Sequence, residues 1–133
     1  MSWDQYSEAV RCTVPLFPWP RDRQFDADAF LASAKPEDAS KFQGGYQYSL
    51  LANVNQCAWY ETWMDARAQN DAKQEQAALF VIVYVIPSYS DYIPGYPAQL
   101  LDDASTTRLL IRVAQSAQLG DPALVQDMLD GFC

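Results

Sequence analysis

The stretch from Tyr46 to Gln69 (YQYSLLANVNQCAWYETWMDARAQ) constrains this chain more than any other. It has no proline and no internal glycine, and it is long enough for six helical turns. At about 100° per residue its apolar side chains fall on two stripes. Tyr46, Leu50, Val54, Cys57, Met64 and Ala68 share one side. Tyr48, Ala52, Trp59, Trp63 and Ala66 share a second, turned roughly half a revolution away. A surface helix needs only one apolar stripe, so two stripes predict a helix packed on both flanks and running through the middle of its domain.

The rest of the chain is long enough to enclose such a helix. At 133 residues, half of them apolar and 14% aromatic, it reads as one domain. Folding removes roughly two thirds of the surface of a chain this size from water. The formal net charge is −8, which repels phosphate. The basic pairs Arg21/Arg23 and Arg108/Arg112 are too small for a nucleic-acid footprint, so no nucleic-acid partner is expected. The longest apolar run, Ala77 to Ile86, is about half of what a bilayer requires, so the chain is read as not membrane-spanning. The first ten residues lack the basic start and apolar run of an export signal. There is no histidine. That removes the commonest general base and metal ligand, and no cofactor or metal is expected.

Read in order, the chain predicts an all-α fold of four or five helices. A single helical domain covers 1–133, with an N-terminal strap and short turn over 1–24 and a helical core over 25–133. Trp3, Tyr6 and Val10 lie near helical spacing. Pro15, Pro18 and Pro20 make the following TVPLFPWPR extended. Its apolar residues suit a strap laid over helices better than a free peptide ligand. Asp26 to Ser33 is a short helix capped by Asp26 or Asp28 and stopped by Lys35-Pro36. Pro36 is placed to open another turn, with Glu37 and Asp38 suited to its N-terminus. Gly44-Gly45 breaks the chain before the long helix. After it, Asp71 and Gln74 fit a capping box. The run LFVIVYVI within Ala72 to Ile86 has strand composition. AKQEQAA leads into it without a break, and no second strand-like run exists to pair with it, so helix is the reading, ended by Pro87. Ser88 to Pro97, with Tyr89, Tyr92 and Tyr96 among prolines and a glycine, reads as a loop. Leu100 to Gln118 is a helix with Asp102, Asp103 or Ser105 near its start, Leu109, Leu110, Val113, Ala114 and Ala117 inward, and Gly120 as its stop. Asp121-Pro122 opens a last helix with Leu124, Val125, Met128 and Leu129 inward.

Few residues are candidates for chemistry. Glu61 lies on the first stripe between Cys57 and Met64. A carboxylate buried there, beside Trp59 and Trp63, has a raised pKa and can serve a small-molecule site or an enzyme. A salt bridge to Arg108 or Arg112 is the plainer alternative. A dimetal carboxylate bundle fails as a template because it needs histidines. Asp102-Asp103 is a helix cap before it is a calcium site. The cysteines Cys12, Cys57 and Cys133 contain no CxxC, which excludes the usual zinc and thioredoxin-like spacings. A Cys57–Cys133 bridge would pin the last helix to the long one and would imply an oxidising compartment. Three free thiols is the other reading. No nucleophile has a histidine to activate it, so no catalytic residue is named.

The tyrosines Tyr89, Tyr92 and Tyr96 are the best surface candidates, since rings held in a rigid loop contact a partner at low entropic cost. The function expected is therefore a non-enzymatic interaction or accessory domain. It is read as the soluble exported part of a larger bacterial assembly, contacting an unknown protein partner through this aromatic loop. The alternative is the small-molecule site or enzyme at Glu61. The sequence leaves the oligomeric state open.

Overall fold

The computed structural model describes residues 2–34, 46–97 and 104–133, and all regular structure among them is helical. Helix α1 spans Trp3–Thr13, α2 Ala27–Ala34, α3 Tyr46–Ala68, α4 Ala72–Phe80, α5 Tyr89–Tyr92, α6 Ala104–Gln118 and α7 Ala123–Gly131. These are more helical segments than the four or five that periodicity predicts. The surplus comes from two places, each with a local cause.

The first is the N-terminus, read as a strap with a short turn. Ser2 caps α1 by accepting the Gln5 backbone N–H at 3.1 Å, and the Gln5 side chain accepts the Ser2 N–H at 2.9 Å. Two donors left open at a helix start are thereby satisfied reciprocally. Tyr6 and Val10 are buried one turn apart. A single 3₁₀ turn, Val14–Leu16, follows with Pro15 inside it. The chain becomes extended only at Phe17 (φ −89°, ψ 146°).

The second is the tyrosine stretch, read as a loop. Helix α4 passes into a π turn over Val81–Val85, then a 3₁₀ turn over Ile86–Ser88, then α5. The π turn falls on β-branched residues, whose stiff side chains crowd the preceding turn. Pro87 does not end the helical path. It sits in the first turn of the 3₁₀ segment, where a missing N–H costs nothing. LFVIVYVI is thus helical despite its strand composition. It buries Val81, Ile82, Val85 and Ile86 against the core.

The long helix α3 meets α1, α4, α7 and the π turn. Its second stripe is buried at Ala52, Trp59, Trp63 and Ala66. Leu50, Val54, Cys57 and Met64 on the first stripe are half-buried, while Tyr46 and Ala68 at its ends are exposed. Burial extends to Leu51, Asn55, Tyr60 and Thr62, residues assigned to neither stripe. Asn70 closes α3 in the left-handed region (φ 55°), a conformation asparagine tolerates. Asp71 caps α4 by accepting the Gln74 N–H at 3.2 Å. The reciprocal half of the box is absent, because the Asp71 N–H donates to the Ala66 carbonyl at 2.9 Å, while the Gln74 side chain donates to Asp22 at 3.3 Å.

The remaining short elements follow their sequence signals. Asp26 caps α2 by accepting from the Ala29 N–H at 3.0 Å. Gly120 (φ 83°) stops α6, and Asp121 accepts the Ala123 N–H at 3.0 Å to open α7. Leu110, Val113, Ala114 and Ala117 on α6 and Val125 and Met128 on α7 join the main core. The expectations placed on Lys35, Pro36, Glu37, Asp38, Gly44, Gly45, Asp102 and Asp103 lie outside the described residues. Among the described residues no helix is long and apolar enough to cross a membrane.

Candidate functional site: an aromatic face beside the proline segment

The extended residues Phe17 to Pro20 lie against α3 through one acceptor. The Pro18 carbonyl accepts the Asn55 side-chain amide at 2.5 Å and the Trp59 indole N–H at 2.7 Å. Prolines 18 and 20 carry no backbone N–H, so this segment is fastened by its carbonyls and rings. Asn55 is fully buried. Its other end accepts the Tyr89 hydroxyl at 2.9 Å, and the same hydroxyl approaches the Ala52 carbonyl at 3.2 Å. Phe17 packs on Tyr89 and Tyr96, with ring centroids 5.5 and 6.5 Å apart. Asn55 therefore ties the proline segment, α3 and α5 together.

This network decides where the three candidate tyrosines go. Tyr89 is buried and hydrogen-bonded, and burial pushes its hydroxyl well above the ordinary tyrosine range. Tyr96 is half-buried and stacked on Tyr89 at 5.7 Å, and its hydroxyl is raised by the same burial. Tyr92 is exposed, at 46%. Tyr89 is therefore a packing residue in this structure, Tyr96 is partly covered, and Tyr92 is the most open of the three. Helical spacing explains this: in α5 a ring at 89 faces the core, and the ring at 92 stands at a different angle.

Tyr92 does not stand alone. Leu16, Phe80 and Tyr84 are also exposed large side chains, and sequence reading singled out none of them as surface groups. The Phe80 and Tyr84 rings lie 5.0 Å apart. Phe80, Tyr92 and Leu16 line one open trough of about 720 Å³ between the proline segment and the α4–π path. Its floor includes Phe17, Trp59, Val81 and Val85, and among the described residues no charged side chain lines it. A smaller cavity of about 340 Å³ adjoins it across Trp59 and Ala77, and Arg21, Asp22, Asp71 and Lys73 are on its wall.

Glu61, the buried-carboxylate candidate, is exposed and pairs with Arg23 at 3.5 Å. Arg23 also contacts Asp65 and donates to the Thr62 hydroxyl at 3.1 Å. Each step of two residues turns a helix by roughly 200°. Glu61 therefore points away from Trp59 and Trp63, which are buried on the far side. A carboxylate pocket beside the two indoles does not form.

Cys57 and Cys133 are bonded, with Cα atoms 5.8 Å apart, which ties the end of α7 to α3. Cys12 is free and exposed. A hydrogen bond to Glu8, and then burial and that carboxylate's charge, raise its thiol pKa, which disfavours the nucleophilic thiolate. Among the described residues no group of three acidic or cysteine side chains is placed to hold a metal ion. The Tyr60 hydroxyl and the Trp63 indole N–H are buried without a hydrogen-bond partner.

No protein-family model, curated protein or solved structure matches this chain.

Proposed function

We propose that this chain is a non-enzymatic interaction domain, and that it contacts a protein partner through the face formed by Leu16, Phe80, Tyr84 and Tyr92. The observation that carries the reading is that three exposed side chains, Leu16, Phe80 and Tyr92, line one trough with no charge among its described lining residues, and that the fourth, Tyr84, packs its ring beside Phe80. Single exposed apolar residues are ordinary, but a contiguous set marks a contact surface. Aromatic rings are also enriched at the centres of protein interfaces. In this reading the long helix α3 and the proline segment form the rigid platform. The tyrosine region supports the face mostly from below, and Tyr92 alone contributes to it directly.

The energetics favour a partner that covers more than the rings. A ring that is half exposed has roughly 100 Å² left to bury, so three contribute about 7 kcal/mol at about 25 cal/mol per Å². Association costs about 4–15 kcal/mol in lost freedom. The face by itself supports weak binding, and tight binding needs polar contacts at its rim.

The Cys57–Cys133 bond supports a place in an oxidising compartment. Thiol counting in denaturant checks this part: one reactive thiol before reduction is expected, and three would contradict it.

Site-specific photocrosslinking tests the interaction reading. A benzophenone side chain replaces Tyr84 in one sample and Leu119, which is 87% exposed on another surface, in a second. Position 84 should yield a discrete protein adduct in native cells that is lost when Phe80→Ser is added. Equal yields from both positions, or no adduct from position 84, would contradict the proposal.

A further inference from the structure

We propose that the smaller cavity, between the proline segment and the start of α4, binds a small zwitterion: a free amino acid with an apolar side chain. The inference goes beyond the interaction face and does not depend on it.

The cavity is a built one, because its two walls are locked and joined. Arg21 and Asp22 are the central residues of a turn closed by the Arg23 N–H, which donates to the Pro20 carbonyl at 3.1 Å. On the other wall Asp71 follows the left-handed Asn70, and its N–H is held by the Ala66 carbonyl at 2.9 Å. Gln74 ties the walls together. Its side-chain amide donates to Asp22 and its backbone N–H to Asp71. Beneath them Pro20 and Trp59 are buried, and the Trp59 indole N–H is fixed on the Pro18 carbonyl. At about 340 Å³ the cavity sits at the small end of the range for ligand sites. That is room for a molecule of amino-acid size and too little for a nucleotide or a folded peptide.

Charge selects the class of ligand. Each wall carries one cation and one anion, Arg21 with Asp22 and Lys73 with Asp71. None of the four forms an ion pair with a described residue. Asp22 and Asp71 each accept from Gln74 through Oδ1, and no described residue donates to either Oδ2. An ammonium group brings three donors for those two oxygens. Arg21 and Lys73 are exposed on long side chains, and their heads can close on a carboxylate. The floor of Pro20, Trp59 and Ala77 then receives an apolar side chain.

Other classes leave part of the wall unmatched. A phosphate or simple anion meets Asp22 and Asp71, with Glu75 next to Gln74 on the helix and a net charge of −8 behind them. A simple amine leaves both cations idle. A sugar has no charge to set against the four, and buried Trp59 offers it no open ring face. A zwitterion matches both signs and, being neutral overall, is not repelled.

Titration calorimetry and heteronuclear NMR of the full chain test this. The probes are valine, leucine, phenylalanine and tryptophan, their N-acetyl and amide derivatives, and inorganic phosphate. At least one free amino acid should bind with a Kd below about 1 mM and move the Trp59 indole and Ala77 amide signals. N-acetylation removes the cation and amidation the anion, so each should weaken binding by about tenfold or more, the worth of a charge-assisted hydrogen bond. Asp22→Asn keeps an acceptor for Gln74, so it should weaken binding by a similar factor with the melting temperature unchanged. Tyr84→Ser should leave binding intact, since Tyr84 lines neither this cavity nor the trough. The proposal is overturned if no free amino acid binds, if a capped derivative or phosphate binds as tightly, or if Asp22→Asn has no effect. Failure of crosslinking at position 84 would remove the interaction face and leave this site standing.

Discussion

Replacing Asn55 by aspartate tests whether the proline segment is fastened as described, because the change keeps the shape and alters only what can be donated. The Asn55 amide donates to the Pro18 carbonyl, and its carbonyl oxygen accepts from Tyr89. A protonated carboxyl reproduces that pattern, with its O–H toward Pro18 and its C=O toward Tyr89. An ionised carboxylate has no donor and sets a negative charge against the Pro18 carbonyl in a fully buried place. Burial raises such a carboxyl by up to 3–5 pKa units from an unfolded value of about 3.9. The folded pKa then lies above the unfolded one, so the folded state holds the proton more tightly. Stability is greatest below the unfolded pKa and is lost as pH rises toward the folded pKa, at about 1.4 kcal/mol per pH unit. Between about pH 5 and about pH 7.5 the variant should lose roughly 3 kcal/mol beyond any change in the wild type. Urea unfolding of both proteins at the two pH values gives the difference directly. Asn55→Leu, which cannot titrate, should show a pH-independent loss of about 1–3 kcal/mol. The leucine loss should lie at the low end, because Pro18 keeps Trp59 and Tyr89 keeps the Ala52 carbonyl. A parallel pH dependence for Asn55→Asp and wild type would refute the reasoning and place position 55 in water.

Further expectations follow from single contacts. Cys133→Ser should destabilise the domain by about 4 kcal/mol, the loop-entropy cost of a bridge 76 residues apart, while Cys12→Ser leaves denaturant midpoints unchanged. Tyr60→Phe removes a buried hydroxyl that has no partner, so thermal unfolding should show equal or higher stability, by up to about 1 kcal/mol. Gly95→Ala should cost more than about 1 kcal/mol by chemical denaturation. Its φ is 77°, and a Cβ there would meet the Tyr48 hydroxyl at 2.6 Å. Arg23→Gln should cost under about 1 kcal/mol at low salt and less at high salt, since both of its carboxylate partners are exposed.

Much of the fold was legible because its signals are local. Asp26 and Asp71 cap as their positions predict and Gly120 stops α6, while the cap of α7 falls one residue on, at Pro122, with Asp121 accepting the Ala123 N–H from just outside. The inward faces of α6 and α7 follow the 3.6-residue period. LFVIVYVI was readable as helix because no partner strand exists, although a π turn within it has no sequence signature. The Cys57–Cys133 pairing was one of several that the sequence allowed. The site was less legible. Tyr89 and Tyr96 carry the same turn-like neighbours as Tyr92, and only Asn55 and Phe17, both distant in sequence, decide which ring is inside. Asn55 and Tyr60 were missed because a polar group in the middle of a helix looks the same whether a partner covers it or water does. Phe80 and Tyr84 were hidden inside an apolar run that composition assigns wholesale to the core. Glu61 could have been excluded from the sequence, since two steps of about 100° put it opposite both indoles.

The central claim is that Phe80, Tyr84 and Tyr92 are held at the surface for contact and do not hold the domain together. Equilibrium unfolding of the triple variant Phe80→Ser, Tyr84→Ser, Tyr92→Ser measures that division. The account predicts an unfolding free energy within about 1.5 kcal/mol of wild type, the sum of three small surface effects. A loss of the 3–5 kcal/mol typical of truncating even one aromatic side chain in a core would contradict it.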